Sequence, residues 1–438
     1  MLTHTVAAIA MGTRTLSHAA LKLAIVLPLL LIRPSSLVRG IASAVPTRPT
    51  GNFTATGNFN RDFNYSSPSN SSFRPTALFG DHMVLQATEQ ADASTVGSAS
   101  AHLSGLAAPG AAVTLEVALG GKTETTLRAT ADKISGRWDI GGIKGAMNQG
   151  PFVLTLRSTG ETRVATDVWF GTVIMCTGRC CLLPAPAPAL PACACSSCSS
   201  TSVPPHDVPR VSIAHVGQSN MELSFSSIYN NVSLINSATT PEIRLLQVAL
   251  RDADAPLPVG SPVPTSTLSG WTLASPHTVR SFSAICYLTA REISERVKCK
   301  SGLPCHFGLI ETCEGATDIQ SWMSAEAREQ ARTSCWAMPG QPPPAALPPI
   351  VIGKHGGPSQ LYNAMIAPLA GYTLAAILWD QGEDNVPYCS THQYDCLYKT
   401  MMTDWRAKWK QSASSLPVTS VQLGGFIRES KVANIRLA

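Results

Sequence analysis

Short runs of alternating hydrophobic and polar residues dominate the chain between about residues 73 and 166. The runs 112–117, 125–130 and 152–156 each place apolar residues at every second position, and turn residues separate them. A period of two is typical of strands with one buried face, and no helical period interrupts these runs. The pattern therefore predicts a β-rich sandwich domain over 73–166.

Beyond residue 211, short apolar runs alternate with amphipathic helical patterns. Such alternation favours a parallel sheet with helices on both faces, and the functional site of these sheets lies at the carboxyl ends of the strands. We therefore predict an α/β domain over 211–438, preceded by its first segment at 167–178. Its predicted strands are 211–216, 243–250, 306–310, 375–379 and 417–423, and its predicted helices are 281–296, 324–331 and 391–410.

The beginning of the chain resembles a targeting segment. Arg14 and Lys22 precede an apolar run at 23–32, and the small residues of 42–44 follow. This run has the length of a signal-peptide core and is too short to cross a bilayer. We predict a signal peptide at 1–44 and a disordered linker at 45–72, so no stable membrane insertion remains after cleavage. A retained anchor and an organellar transit peptide are the alternatives.

Composition favours the secretory route and excludes one class of partner. The chain of 438 residues has 13 cysteines and N-x-S/T triplets at Asn52, Asn64, Asn70 and Asn231. These features predict a glycoprotein that is extracellular or resides in a lysosome- or vacuole-like compartment. The net charge of +5 comes without a dense basic run, so no nucleic-acid partner is expected.

The cysteine spacing indicates disulfides more than metal. Cys299 with Cys305, and Cys389 with Cys396, are close enough to bridge short loops, and neither pair belongs to a twin CxxC motif. Residues 179–210 form a low-complexity insertion rich in cysteine, proline and alanine. We interpret it as disordered or as foreign to the mature message. A cysteine-rich metal module is the alternative.

Candidate chemistry is concentrated where predicted strands end. Ser219, in the run GQSNM at 217–221, follows a predicted strand and precedes a helical segment, where developing negative charge is favoured. The backbone N–H of Gly315 and a side-chain amide of Gln381 or Asn385 are candidate oxyanion donors. Glu383 is a possible supporting residue, either as a turn cap or as an acceptor for main-chain amides.

These segments, in this order, resemble the sialate O-acetylesterase family of SGNH-type serine esterases. The resemblance covers most of 73–178 and 211–423. Its motifs are FGDHMVLQ at 79–86, DVWFG at 167–171, CTG at 176–178, GQSNM at 217–221, AICY at 284–287, the segment around Gly315, LYNAMI at 361–366 and WDQGEDN at 379–385.

The resemblance implies a three-layer α/β/α fold with an attached β-domain. It also implies removal of O-acetyl groups from sialic acids or related sugars without a metal or other cofactor. Ser219 would form an acetyl-enzyme, and the N–H groups of Ser219 and Gly315, with Gln381 or Asn385, would bind the oxyanion. Arg244 matches the family pattern too, and an ion pair beneath the sheet is its expected role.

Two departures from the family pattern lower the expected activity. Residues 179–216 separate the CTG segment from the serine run. Either 211–216 replaces 173–176 as the central strand, or the segment is a retained intron. In addition, the family's general-base histidine near the C-terminus has no counterpart after His392. His215, His355 and His392, the last with Asp395, are weak substitutes, so the base is unknown.

Three functions remain open from the sequence. The first is an active carbohydrate O-acetylesterase, and the second is a C-terminally incomplete and catalytically impaired member of the family. The third is a glycan-binding protein that uses the acetyl pocket without turnover. The triad histidine separates the first from the others, since a serine hydroxyl without a base is a poor nucleophile.

Overall fold

The structure, a computed structural model, describes residues 72–88, 100–178, 221–259, 261, 270–297, 299, 302, 304–315, 317–336, 345, 356–382, 385 and 393–421. The strands are β1 (Arg74–Pro75), β2 (Val84–Gln86), β3 (Ala101–Leu106), β4 (Ala112–Leu119), β5 (Lys122–Thr130), β6 (Arg137–Ile143), β7 (Phe152–Ser158), β8 (Glu161–Thr177), β9 (Thr240–Gln247), β10 (Thr272–Ala274), β11 (Phe307–Thr312), β12 (Ala376–Trp379) and β13 (Val418–Ser420). The α-helices are α1 (Asn231–Asn236), α2 (Ala284–Arg296), α3 (Ala325–Ser334) and α4 (Tyr394–Trp409).

Two antiparallel layers form the β-rich part that the alternating runs predict. One layer contains β1, β3 and β6, and the other contains β5, β4, β7 and the first half of β8. Trp138 of the first layer and Leu115 and Leu154 of the second are buried in a common core. Alternate residues of β4 and β7 face this core, as a period of two requires.

The second half of β8 enters a mainly parallel sheet. Its strand order is β10, β9, β11, β8, β12 and β13, in which only the edge strand β10 runs antiparallel to its neighbour. Because β8 is continuous from Glu161 to Thr177, the two parts of the molecule share one strand. The domain boundary predicted at 166/167 falls inside that strand.

Helices cover both faces of this parallel sheet, which is the three-layer α/β/α arrangement of the predicted fold class. Residues of β8, β11 and β12 alternate between a core shared with α3 and α4 and a second core shared with α2. All positions of β11 and β12 are buried, as expected for strands covered on both sides.

Helix capping explains where two of the predicted helices begin. The hydroxyl of Ser283 accepts a hydrogen bond from the backbone N–H of Cys286, so α2 starts at Ala284 and not at the predicted residue 281. The hydroxyl of Ser324 accepts from the N–H of Ala327 in the same way, at the predicted start of α3.

Two sequence-based expectations are wrong. Residues 173–176 themselves lie in β8 between β11 and β12, so 211–216, which is outside the described residues, does not replace them as the central strand. The bridge between Cys299 and Cys305 is confirmed. Cys396, however, pairs with Cys335 and not with Cys389, because the start of α4 packs beside the end of α3.

A third disulfide, which the spacing did not predict, joins Cys176 at the end of β8 to Cys286 in the first turn of α2. The sequence separation of this pair is 110 residues. The bond therefore fixes the start of α2 to the central strand, at the end of the sheet where the site is expected.

Arg244 forms the expected ion pair beneath the parallel sheet. Its Nη1 lies 3.1 Å from Oδ2 of Asp167 and also donates to the backbone carbonyls of Asp167 at 2.7 Å and His82 at 3.1 Å. His82 Nδ1 lies 2.7 Å from the same Asp167 oxygen, and the Trp169 indole N–H donates to Oδ1 at 2.8 Å. Burial acts to raise the pKa of the Asp167 carboxyl, but these hydrogen bonds and the Arg244 charge outweigh it and lower the pKa.

Replacing Arg244 with methionine is expected to lower the free energy of unfolding by about 3 kcal/mol, because it leaves a half-buried carboxylate and two carbonyls without their cation. Arg296→Met is the matched control. That arginine forms an exposed pair with Glu292 within α2, and its removal should change stability by less than about 1 kcal/mol. Denaturant unfolding of both variants at pH 7 measures the difference, and equal effects would contradict the structural role of Arg244.

Candidate functional site

The predicted site residues that the structure describes, Gly315, Gln381 and Asn385, follow the carboxyl ends of β11 and β12, the strands that flank β8. These strands are parallel neighbours, and Thr177 of β8 is in register with Thr312 of β11 and with Trp379 of β12. Of the GQSNM run, only Met221 belongs to the described residues, so Ser219 lies outside them. Met221 is fully buried in the core between α2 and the sheet.

The segment that follows the serine run is docked on the start of α2. The backbone N–H of Ala284 donates to the carbonyl of Leu223 at 2.9 Å, and that of Phe225 donates to the carbonyl of Phe282 at 2.9 Å. A β-bridge joins Ser224 to Ser283 between these two bonds. The chain therefore leaves the serine run along a path fixed by main-chain hydrogen bonds.

Glu311 of β11 stabilises this docking through its buried carboxylate. Its carboxylate accepts a hydrogen bond from the N–H of Ser283 at 2.8 Å and another from the side-chain amide of Gln247 at 3.1 Å. Burial raises the pKa of this carboxyl to about 8; the charge of Glu222 acts in the same direction, and the two hydrogen bonds act against it. Sequence reasoning gave Glu311 no role. The signal was an acid within an otherwise apolar strand run.

Gly315 lies in a turn that begins where β11 ends. The Thr317 hydroxyl donates to the carbonyl of Glu314 at 2.9 Å and accepts from the Trp322 indole N–H at 3.0 Å, which closes the turn. Gly315 is buried, and within the described part of the chain its own N–H has no hydrogen-bond acceptor. A buried, unpaired N–H at this edge has the character required of an oxyanion donor.

Gln381 and Asn385 lie together in one buried hydrogen-bond network next to that turn. The amide nitrogen of Gln381 donates to the carbonyl of Thr317 at 3.1 Å and to Oδ1 of Asn385 at 2.6 Å. Asn385 in turn donates to Asp318 at 2.7 Å. The Tyr394 hydroxyl lies 2.8 Å from both oxygens of Gln381. Both N–H hydrogens of Gln381 are thus engaged in holding the turn that carries Gly315.

The other candidates from the sequence are Glu383, three histidines and Asp395. Glu383, His215, His355 and His392 lie outside the described residues. The Asp395 carboxylate forms an i,i+4 pair with Lys399 on the surface of α4, at 2.6 Å. That geometry agrees with a surface role for Asp395.

Asp380 and Cys313 are two buried residues at the site that the sequence did not single out. Neither oxygen of the fully buried Asp380 carboxyl has a hydrogen-bond partner in the part of the chain that the structure describes. Cys313 is a buried free thiol whose Sγ lies 3.5 Å from the carbonyl oxygen of Cys176. Burial raises the pKa of the Cys313 thiol well above its usual value, and the charges of Glu311, Glu222 and Asp380 add to this effect.

The described residues contain neither a metal-binding cluster nor a membrane-spanning helix. Among them, no group of three or more His, Cys, Asp or Glu side chains has a geometry suited to a metal ion. No helix within the described ranges has the length and apolar character needed to cross a membrane.

Known proteins with similar sequences are sialate O-acetylesterases. The human enzyme is 30% identical over 193 residues, which is 43% of this chain and 34% of that protein. The mouse enzyme is 23% identical over 385 residues, covering 81% of this chain and 61% of that protein. The chain thus spans about a third of the human relative in the more similar alignment.

A solved structure with the same fold is a carbohydrate acetylesterase from Xanthomonas citri. It matches with a TM-score of 0.56 and 21% sequence identity, covering 83% of this chain and 64% of that one. This similarity confirms the α/β fold class.

A family model described as carbohydrate esterase, sialic acid-specific acetylesterase, matches residues 213–438. The matched range includes Ser219, Gly315, Gln381 and Asn385 and makes up more than half of the 438 residues. The chain therefore belongs to the family of sialic acid-specific acetylesterases.

Proposed function

We propose that this protein is a carboxylic ester hydrolase that removes O-acetyl groups from sialic acid or other glycans through an acetyl–Ser219 intermediate. The observation that carries the proposal is the family match over 213–438, which contains the whole serine run, the Gly315 turn and the Gln381–Asn385 segment. The substrate is an O-acetylated sugar, and the curated relatives, named as sialate O-acetylesterases, support sialic acid as the first sugar to test.

The oxyanion site of this proposal consists of the backbone N–H groups of Ser219 and Gly315, with the side-chain amide of Asn385 as the third donor, since both N–H hydrogens of Gln381 bind Thr317 and Asn385. The unpaired, buried N–H of Gly315 supports the assignment directly. The network from Asp318 through Asn385 and Gln381 to Thr317 supports it indirectly, because it holds the Gly315 turn rigidly at the strand ends. Pre-oriented donors stabilise the tetrahedral intermediate without reorganisation.

We further propose that the protein folds in the secretory pathway and acts outside the cell or in a lysosome- or vacuole-like compartment. The three disulfides among the described residues support this, since such bonds persist in oxidising compartments. The signal peptide at 1–44 remains part of the proposal.

The direct test uses the full chain secreted from a eukaryotic host. We expect acetate release from 9-O-acetyl-N-acetylneuraminic acid and from 4-nitrophenyl acetate, and covalent labelling by a fluorophosphonate probe at the peptide that contains Ser219. Labelling at that peptide without acetate release from any acetylated sugar would reject the glycan substrate. A folded protein with neither labelling nor acetate release would reject the esterase assignment itself.

A further inference from the structure

One N-x-S/T triplet lies on the surface of the described fold. Asn231, Val232 and Ser233 form the first turn of α1, in which Asn231 is half-buried and the other two residues are exposed. The remaining three triplets, at 52–54, 64–66 and 70–72, begin outside the described residues. The esterase proposal gives the Asn231 triplet no role, although this pattern accepts an N-linked glycan on the surface of a secreted protein.

Two large hydrophobic residues beside this asparagine are open to solvent. Tyr229 is 84% exposed and Val232 is 69% exposed. The other exposed large hydrophobic residues of the described chain, Ile134, Val153 and Val164, belong to the β-rich part. A single exposed apolar residue is ordinary, but here two of them lie within four positions of each other and on either side of one acceptor asparagine.

The backbone turns sharply between Tyr229 and Asn231. Asn230, which separates them, has a φ of 56°, in the left-handed region that asparagine adopts more readily than most residues. Two peptide units join Tyr229 to Asn231, so their Cα atoms are at most about 7.6 Å apart. The exposed aromatic residue and the acceptor asparagine are therefore close neighbours on one turn.

The Asn231 side chain is oriented by a hydrogen bond that a glycan leaves in place. Its Nδ2 donates to the backbone carbonyl of Ser226. A carboxamide nitrogen carries two hydrogens, and N-glycosylation replaces one of them with C1 of a sugar. Because the second N–H still donates to Ser226, the fold restricts the direction in which the first sugar extends from Asn231.

We propose that Asn231 carries an N-linked glycan whose first N-acetylglucosamine packs on the Tyr229 ring and covers Val232. The donor is a polyprenyl diphosphate-linked oligosaccharide. A bond forms between Asn231 Nδ2 and C1 of the sugar, the bond from C1 to the diphosphate oxygen breaks, and one Nδ2 proton is released with the polyprenyl diphosphate. The apolar C–H face of the sugar then contacts the electron-rich face of the ring. This inference rests on the proposed secretory route and is independent of esterase turnover.

The occupancy test uses the full chain secreted from a eukaryotic host. Peptide N-glycosidase in heavy-oxygen water converts a glycosylated asparagine to labelled aspartate, and mass spectrometry of the peptide should find this label at Asn231 in most copies. Asn231→Gln and Ser233→Ala should each lose one glycan in gel mobility. Asn236→Gln is the matched control, because Asn236 is exposed on the same helix but Ala238 stands where a triplet requires Ser or Thr.

A double-mutant cycle tests the contact with Tyr229, in protein whose glycans are trimmed to a single N-acetylglucosamine. We expect Tyr229→Ala to lower the Tm of the trimmed protein by about 2 °C, because the sugar loses its contact with the ring. Tyr229→Phe should keep the wild-type Tm, since its ring presents the same apolar face. In the Asn231→Gln background, Tyr229→Ala should leave the Tm unchanged, because the exposed ring then has no sugar to contact.

Each outcome decides a different part of the inference. Secreted protein with an unmodified Asn231 would overturn the glycan site, and self-association of that protein through Tyr229 would assign the apolar surface to a second copy. A modified Asn231 with equal effects of Tyr229→Ala in both backgrounds would overturn the contact with the ring. A chain retained in the cytosol would overturn the secretory route together with this inference. None of these measurements uses acetate release, so failure of the esterase assignment would leave their results unchanged.

Discussion

Replacing Ser219 with alanine is expected to lower kcat for acetate release by about 10³-fold or more, which corresponds to at least about 4 kcal/mol of transition-state stabilisation. Without the hydroxyl no acetyl-enzyme forms, and only the oxyanion donors and substrate binding remain to accelerate attack by water. KM should change little, since Gly315 and the Gln381–Asn385 network are left intact. Steady-state kinetics with 4-nitrophenyl acetate measure both parameters.

Ser226→Ala is the matched control for this variant. Ser226 is exposed and lies seven residues after Ser219, and among the described residues its hydroxyl forms a hydrogen bond only with that of Ser224. Its removal should leave kcat within a factor of two. If Ser219→Ala kept more than a tenth of the wild-type kcat, the nucleophile would have to be another residue of the chain.

Local sequence patterns predicted most of the described elements of the fold. Buried strands such as β11 and β12 appear as apolar runs, because both of their faces are covered and water contacts neither. The start of α3 was predicted correctly because Ser324 caps it through a local hydrogen bond. These features depend on residues within one turn or one strand, so a single sequence contains the information.

Disulfide pairing depended on tertiary packing and could not be predicted in the same way. Cys389 is nearer to Cys396 in sequence, but Cys335 is the residue that the end of α3 brings to it. Similarly, Cys176 and Cys286 meet only because the first turn of α2 packs on the end of β8. Sequence distance predicted the one bridge that closes a short loop, between Cys299 and Cys305.

The positions of the candidate site segments were predicted in part, and their chemical roles stay predictions. The resemblance to the family identified the Gly315 turn and the Gln381–Asn385 segment, and the structure brings these together at the strand ends. Glu311 and Asp380 were not given roles, because acidic residues are usually exposed and their burial here results from packing between α2 and the sheet. The perturbed protonation of these two carboxyls is a property of the fold.

The raised pKa values of Glu311 and Asp380 lead to a second large expected effect, which is a loss of stability as pH rises from about 5 to 8. Burial raises the pKa of Glu311 from 4.5 to about 8 and that of Asp380 from 3.8 to about 7. Between those limits each group is protonated in the native state and ionised in the unfolded chain. The native state then binds more protons, so the free energy of unfolding falls by about 1.4 kcal/mol per group for each pH unit.

Titration of His306 has the opposite effect on the free energy of unfolding over part of this pH range. Burial lowers the pKa of its imidazole from 6.5 to about 4, and the charge of Arg244 contributes. The unfolded chain therefore binds the extra proton between pH 4 and 6.5, and this group alone would make stability rise with pH there. Above pH 6.5 its contribution is constant. The net loss between pH 5 and 8 is then on the order of 5 kcal/mol, and it is steepest near pH 6.5–7.

Denaturant unfolding at several pH values from 5 to 8 tests this expectation, with Glu311→Gln and Asp380→Asn each removing the contribution of one carboxyl. A glutamine at 311 retains an oxygen that can accept from the N–H of Ser283, so the docking of the segment after Met221 should persist while the pH dependence weakens. Asp395→Asn is the control, because that carboxylate lies on the surface of α4 beside Lys399 and its loss should leave the slope unchanged. A slope in either buried variant equal to that of the wild type would mean that the replaced carboxyl is already ionised in the native protein at pH 5. In that case its burial would have to be balanced by a partner.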